Sequence, residues 1–521
     1  MKSFVYFIIF LSISIGVFLL FFDLGRHSAW WDEGLTMTFV EYNSFGLVIN
    51  KLLSANNAWT LQPLYYFVLY FWMLAVEPSV VALRSLSAIF GSLSVLVLML
   101  ASWRTWGLKW MCVTGFIGAW SGYAIWVSQE IRPYSLSVLV VSLLLMSYLC
   151  ARKATGDTEV RIWRVCLAIS AMLCAWTSVL NAFILVSLAL SDLLLFSSLR
   201  PWLKLWIPSV VASSTFLIWL AFTFLLAGPM HKLPLGGQDM SILILAGYIL
   251  TGILVGSTYG PPEVYLRETH DGPQVYDVLL QYWPHFLILG LVLFAILICF
   301  LKIIPELIRQ DKHEKKVLLV LVSTSAIFFL LFIFADLLGF GRGSPRYAWS
   351  LWPLMALILP AIFYYQPQTH GKTIRALGCV ALLGLIILNM YSISNYFTDP
   401  KHARDDYRYV AEYINANEDV LPILAHGNLR TFKFYTDQPI IPAKQILLTE
   451  PLNLRIITQN WNKALIIVNT HFPFSPFSSY AKDYVIEKDY LTKVLGPDFR
   501  LTDEFYPHYF KMYLFERIVS G

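Results

Sequence analysis

The sequence predicts a polytopic α-helical membrane protein of about 11–13 crossings with a small C-terminal soluble α/β domain. Three observations predict it. Of its 521 residues 57% are hydrophobic and only 14% are charged, where soluble domains carry about 25% charged residues. Apolar runs long enough to span a bilayer recur from Phe4 to about residue 394. Beyond about Tyr396 charge, Asn, Asp and Pro rise, and no later run is long enough to cross.

The spanning runs fall at about 4–22, 82–101, 110–127, 135–151, 162–179, 181–197, 205–227, 284–303, 317–338, 347–364 and 373–394. Two more, 63–76 and 241–255, are short for a crossing and read as half-helices or interfacial segments. The first run follows Lys2 and exceeds the apolar stretch of a signal peptide, so it is expected to stay as an anchor. Short cytoplasmic loops are enriched in Lys and Arg. With both short runs left uncrossed, Arg104/Lys109, Arg152/Lys153/Arg161/Arg164, Arg200/Lys204, Lys302–Lys316 and Lys372/Arg375 all fall on the side of Lys2. The opposite side then receives the loop after the first run, Ser128–Pro133, Gly228–Met240, Ser257–Pro284, Gly339–Arg346 and the C-terminal tail. A multi-pass protein of the cytoplasmic (inner) membrane is expected, N-terminus inside and C-terminal domain extracytoplasmic. The division is 1–395 for the membrane domain, including a first external loop 23–81 with juxtamembrane helices, and 396–521 for the soluble domain.

In the C-terminal part Tyr407, Val410, Ala411 and Ile414 recur at helical spacing, and Leu421–Ala425, Ala464–Val468 and Met512–Phe515 are short apolar strands. About 125 residues is an ordinary domain size. All six cysteines lie in hydrophobic runs without metal-ligand spacing and read as small core residues. Gly236-Gly237 and Gly339–Gly343 lack the strand–Gly–helix setting of a nucleotide-phosphate loop. Nothing points to a nucleic-acid partner.

The polar residues expected on the outer side carry the chemistry. Ser28-Ala-Trp-Trp-Asp-Glu-Gly34 puts Asp32 and Glu33 at the membrane surface, after Arg26 and His27. Gln62-Pro-Leu-Tyr-Tyr66 is juxtamembrane, and Arg84 opens the next crossing. Ser128-Gln-Glu-Ile-Arg-Pro-Tyr134 supplies Glu130, Arg132 and Tyr134, and Ser344-Pro-Arg-Tyr347 supplies Arg346. Lys401, His402, Arg404 and Arg408 begin the soluble domain. Guanidinium forks bind phosphate oxygens bidentately and stay charged when partly dehydrated; a nearby carboxylate serves as general base toward a hydroxyl or amine. Each residue also has a plainer reading. Asp32 and Glu33 fit solvated loop acids. Trp30 and Trp31 fit interface anchors, Arg84 a snorkelling side chain, and Arg132-Pro133 a helix start. Glu130 and Arg132 fit a local pair, Lys401–Arg408 a solvated helix face, and His27, His402 and His471 are lone loop or core residues.

Taken in order, Ser-Ala-Trp-Trp-Asp-Glu, Gln-Pro-Leu-Tyr-Tyr, Val80-Val-Ala-Leu-Arg-Ser-Leu-Ser-Ala-Ile-Phe-Gly91, Ser-Gln-Glu-Ile-Arg-Pro-Tyr and the late Pro-Arg-Tyr with Pro353 resemble the GT-C superfamily of polyprenyl-phosphate-sugar glycosyltransferases. The bacterial members similar to it are the protein O-mannosyltransferases and the lipid A aminoarabinose and galacturonic acid transferases. The resemblance covers most of the membrane region and fades between about 200 and 340. It implies an inverting sugar transfer on the outer face, from a polyprenyl-phosphate sugar donor lying against the helices to a glycan, lipid or protein acceptor. It implies Asp32 as catalytic base with Glu33 its companion, and Arg132 near the site. Arg346 and Arg84 are inferred to contact the donor phosphate, with Glu130, Tyr134 and Gln62 in the donor subsite. Three departures stand out. Leu61-Gln62-Pro63 replaces the His-Pro-Pro of many relatives, shifting any role of that histidine to Gln62. Tyr134 stands where some relatives have Asp, which leaves Glu130 as the candidate second acid. No pair of acids marks a metal site; no cofactor is required by this scheme, and a divalent ion held by Asp32 or Glu33 stays open.

Two other classes compete. A lipid-linked-glycan transporter or flippase places charges near the bilayer midplane on broken helices, with internal repeats; here the charges cluster outside helix ends and no repeat is found. A membrane assembly protein explains the C-terminal domain without explaining the acids and arginines of one face.

Overall fold

A computed structural model describes residues 2–55, 58–196, 198–228, 242–262, 272–309, 312–337, 345–364, 371–442, 458, 461–469, 488–507 and 509–518. Gly236-Gly237, residues 339–344 and His471 lie outside them, and the expected loops 228–240 and 257–284 are described only in part. The chain divides into two compact units. One comprises Met1–Asp23, Tyr42–Glu77 and Ala82–Asp399; the other comprises Leu24–Glu41, Pro78–Val81 and Pro400–Gly521. The second unit thus groups residues 24–41 of the first loop with the C-terminal residues.

In the membrane unit every expected apolar run is helical. In chain order they are α1 (Lys2–Leu19) and, beyond α2 (Trp31–Met37) and α3 (Phe45–Ser54), which lie in no expected run, α4 (Pro63–Ala75), then α5 (Val80–Trp106), α6 (Leu108–Ala119) and α7 (Gly122–Ser128). There follow α8 (Tyr134–Lys153), α9 (Asp157–Thr177), α10 (Asn181–Phe196), α11 (Leu199–Ala227) and α12 (Ile242–Val255). Trp283–Arg309, His313–Leu337, Leu351–Ile358 and Gly371–Thr398 complete the set. Among the described residues seven helices are long and apolar enough to cross a membrane, and the bent pair α6–α7 makes eight. The remaining runs are shorter apolar helices. The chain is a multi-pass helical membrane protein.

Burial separates the helices. The apolar window of α8 is 78% buried, that of α11 only 17%; α8 is the central helix, and α11 turns its side chains to lipid. Serines dot α8 where its neighbours approach (Ser147 Oγ lies 3.3 Å from Ser170 Oγ of α9), as close membrane packing favours. Four cysteines are buried as expected, while Cys166 is half-buried and Cys379 exposed on Gly371–Thr398. The 59° bend between α6 and α7 has a local cause. Ser121 caps α7, accepting from Ala124 N at 3.2 Å, and also accepts from Trp352 Nε1 at 2.8 Å. Gly122 N donates to Asn389 Oδ1 at 2.8 Å, and a Cβ on Gly122 would lie 2.7 Å from Val255 O. Backbones meet there, and the turn leads the chain into the loop 128–133.

The C-terminal sheet has strand order β2-β1-β3-β5-β4, with β1 Val420–His426, β2 Ile441–Pro442, β3 Lys463–Asn469, β4 Phe499–Phe505 and β5 Phe510–Arg517. β2, β1 and β3 run parallel; β5 is antiparallel to β3 and β4. Ala464–Val468 is buried along its length, as a strand covered on both faces must be. One face carries Ile423, Ala464, Ile466 and Phe515 with Leu491 and Leu495; the other carries Leu465, Ile467 and Met512 against Tyr407, Val410, Ala411 and Ile414. The expected helix and all three expected strands are in place. β2 and β4 carried no apolar signal: one is two residues long, the other alternates polar residues.

Candidate active site

Two groups of expected site residues take shape, one in each unit. The membrane group forms at the N-terminal end of α8. Glu130 is fully buried, Arg84 is 1% exposed, Arg132 5% and Arg346 6%. Ser87, one helical turn beyond Arg84 on α5, donates to Glu130 O at 2.6 Å, and Arg132 N donates to the same carbonyl at 2.8 Å. The Arg132 guanidinium lies 5.5 Å from the centre of the Tyr134 ring. Arg346, in the one-turn 3-10 helix Pro345–Tyr347, lies over Trp126 at 5.6 Å. Tyr123 ties the group together: its hydroxyl donates to Pro345 O at 3.2 Å, and it lies within electrostatic reach of Tyr134, Glu130 and Arg346. The half-helix α12 holds that turn, since a Cβ on Gly252 would lie 2.3 Å from Pro345 Cγ.

Several members of this group escaped the sequence reading. Tyr123 and Ile131 are fully buried. The hydroxyls of Ser128, Ser135 and Ser137 are buried without a hydrogen-bond partner among the described residues. Trp349 packs on Tyr134 with ring centres 5.7 Å apart and donates to Asn181 Oδ1 at 2.7 Å. Asn181 opening an apolar run was the available signal. Gln129, inside the quoted motif, is structural. Its Nε2 donates to Phe22 O at 2.9 Å, Leu19 O at 3.2 Å and Leu20 O at 3.3 Å. It thereby satisfies carbonyls that the end of α1 leaves open. Gln62 is half-buried at the N-cap of α4. That corner is fixed by Val179 N donating to Leu61 O at 3.3 Å and Trp219 Nε1 to Thr60 O at 2.9 Å.

The second group lies on α2, packed on the C-terminal domain. Glu33, the third helical residue, is fully buried, and its Oε2 accepts from Trp30 N at 3.2 Å, half of a capping box. Its placement is that of a helix-starting side chain. Asp32, beside it in the first turn, is half-buried. Trp30 is 1% exposed with the Arg404 guanidinium 5.0 Å over its ring, so it is not an interface anchor. Asn428 Nδ2 donates to Trp31 O at 2.9 Å, Ala29 N donates to Tyr435 Oη at 2.6 Å, and Arg430 pairs with Glu41. Arg408 N donates to Ser28 Oγ at 3.1 Å; the Arg408 guanidinium reaches Gly25 O and covers the Tyr435 ring. Neither Arg404 nor Arg408 is a freely solvated helix-face charge. Among the described residues no group of three or more His, Cys, Asp or Glu is placed to hold a metal ion.

No protein-family model and no curated protein sequence matches the chain. Solved structures do. ArnT from Cupriavidus metallidurans in the apo state superposes with TM-score 0.58 at 12% identity, over 100% of this chain and 99% of that one. The same protein bound to undecaprenyl phosphate gives 0.52 at 12% identity, over 98% of each chain. The chain shares the fold of these structures. The likeness extends through the C-terminal domain, where the sequence offered only the general habit of such proteins to carry one.

Proposed function

We propose that this protein is a membrane glycosyltransferase that moves a sugar from a polyprenyl-phosphate donor to an acceptor at the outer face of the cytoplasmic membrane, with inversion. The observation that carries the proposal is the group at the start of α8. Three guanidinium groups, each no more than 6% exposed, are carried by the segments that meet at this helix start, and buried guanidinium groups suit a lipid-linked phosphate. Arginine remains charged on burial and grips phosphate oxygens in pairs. The serine hydroxyls of the first turn of α8 and the amide end of that helix add neutral donors. A protein of the same fold has been solved with undecaprenyl phosphate, which supports a donor of that class.

In the reaction an acceptor hydroxyl or amine attacks the anomeric carbon. The bond from that carbon to the phosphate oxygen breaks, and polyprenyl phosphate leaves with the electron pair. The acceptor's proton passes to the Asp32 carboxylate. Arg132, Arg346 and Arg84 stabilise the charge that grows on the departing phosphate, the electrostatic part of catalysis. Glu130 and Tyr134 orient those arginines, and Gln62 faces the donor sugar. Glu33 shapes the turn that presents Asp32. No step passes through a metal ion or a cofactor.

Asp32→Asn tests the base. Transfer of radiolabelled sugar from a panel of polyprenyl-phosphate donors, in membranes carrying equal amounts of protein, is expected to fall by about 100-fold or more; wild-type transfer by the variant overturns the assignment. Sidedness is tested with Lys433→Cys, an exposed position of the C-terminal domain. A membrane-impermeant maleimide is expected to label it in intact cells, and protection there reverses the topology.

A further inference from the structure

We propose that the C-terminal α/β domain is a positioning element for Asp32, acting through Asn428, Tyr407 and Thr431; this rests on Asp32 being the base. The two ends of the Asn428 side chain do different things. Oδ1 accepts from Arg430 N at 3.0 Å and starts the short helix Leu429–Phe432. Nδ2 donates at 2.9 Å to Trp31 O, the carbonyl joined to the nitrogen of Asp32. Asn428 is itself held. Its backbone N donates to Tyr407 Oη at 3.1 Å, and Asn469 Nδ2 donates to Tyr407 Oη at 3.3 Å and to the buried Asp405 at 3.2 Å. A line of hydrogen bonds thus runs from the core of the domain to the peptide that carries the acid.

Packing gives an independent observation. A Cβ on Gly34 would lie 1.9 Å from Thr431 Oγ1 and 2.9 Å from both Thr431 N and Asn428 Nδ2. Only glycine lets α2 lie this close, which accounts for the Gly that ends the Trp-Trp-Asp-Glu-Gly stretch. The flanks are tied as well, by Ala29 to Tyr435 and Glu41 to Arg430. Asp32, between these anchors, keeps its side chain half-exposed. A general base must be held within a fraction of an ångström of its working place, and a 1 Å displacement costs about 100-fold in rate.

The test uses the full-length protein in lipid nanodiscs. Asn428→Asp keeps the acceptor that starts Leu429–Phe432 and replaces the donor to Trp31 O by a second oxygen. Gly34→Ala forces α2 away from Thr431, and Gly34→Ala combined with Thr431→Ala removes the nearest obstructing atom. Two quantities are read: hydrogen exchange at the amides of 31–37, and kcat separately from KM for the polyprenyl-phosphate sugar. Both single variants are expected to speed exchange there and to lower kcat by about ten- to a hundred-fold at unchanged donor KM, with the double variant recovering part of both. Unchanged exchange in both single variants overturns the docking. Faster exchange with wild-type kcat overturns the positioning role. An Asp32→Asn protein that retains full transfer sinks only the catalytic assignment, and the exchange measurement still decides whether the domain holds the loop.

Discussion

The two ends of α8 each carry buried charge, about 27 Å apart by helical rise, and they are built differently. At the C-terminal end Asp192 is fully buried and saturated. Tyr148 Oη donates to its Oδ1 at 2.6 Å, Trp206 Nε1 to its Oδ2 at 2.9 Å, and Arg152 pairs with Oδ2. The Arg152 guanidinium also lies 4.3 Å over the Phe196 ring. One acid meets one base, and helices α8, α10 and α11 are joined as a result. At the N-terminal end Arg84, Arg132, Arg346 and Glu130 are all buried, and the Arg132 and Arg346 guanidinium groups lie over the Tyr134 and Trp126 rings. The difference sets what to test at each end: a carboxylate saturated by donors from two neighbouring helices holds those helices together, while buried guanidinium groups laid over aromatic rings at a helix start are the ones proposed to receive a phosphate.

Removing a partner should have the largest effect at the clamp. Asp192→Ala strips the fully buried acceptor from Tyr148 and Trp206 and the counter-charge from the half-buried Arg152, and breaking a buried pair from one side costs up to about 3–5 kcal/mol. A large fall in apparent Tm of the purified protein is expected, with transfer lost in proportion to the folded fraction. An Asp192→Ala protein of wild-type Tm but no transfer would place the function at the wrong end of α8.

The reverse pattern is expected at the other end. Arg132→Gln and Arg346→Gln should each lower transfer by about 100-fold, the order of effect seen when a charge-stabilising donor is lost. Their apparent Tm should move less than that of Asp192→Ala, because Gln keeps much of the side-chain volume and its hydrogen-bond donors. A collapse of Tm in both, with transfer per folded molecule intact, would turn the group into a second clamp.

How much of this was legible in the sequence differs by level. The apolar runs announced every helix long enough to cross, because lipid forces each span to satisfy its own backbone, while Phe45–Ser54 lay in no such run. Glu130, Arg132, Tyr134 and Arg346 were legible as motif residues, and the fold brings them together. Asp192 was passed over inside an apolar run; a lone acid there reads as functional by default, and only Tyr148, Trp206 and Arg152 show it to be structural. The docking of α2 was not legible, since Asn428 and Trp31 are 397 residues apart and no local pattern marks the pair. Gly34 was visible as a letter, and its reason, the approach of Thr431, was not.

Within a single loop the same contrast recurs on a smaller scale. Gln129 serves the end of α1 and its neighbour Glu130 the arginine group. Gln129→Ala should lower stability by about 1 kcal/mol, the ordinary worth of a hydrogen-bonding amide, with transfer per folded molecule close to wild type. A hundred-fold fall in transfer at unchanged Tm would move Gln129 from the structural side of the comparison to the functional one.

Another buried carboxylate, Asp405, sits in the C-terminal domain, where pH can reach the comparison. Burial first, and then the Asp405 charge, hold the Tyr407 phenol well above the ordinary tyrosine range. An unfolded tyrosine titrates near 10. Below that pH neither state ionises, so Tyr407 contributes no pH dependence. Above it the unfolded chain releases the proton while the folded domain keeps it, so stability falls as pH rises. Half a unit above pH 10 the loss from this residue is about 0.8 kcal/mol. Tyr407→Phe should therefore start less stable at neutral pH, having lost the hydroxyl that Asn428 and Asn469 bond, yet fall less steeply than the wild type between pH 10 and 11. Chemical denaturation of the full-length protein across that interval measures the two slopes. Parallel slopes would mean that Tyr407 ionises as readily in the fold as outside it, and that the network behind Asn428 is open to water.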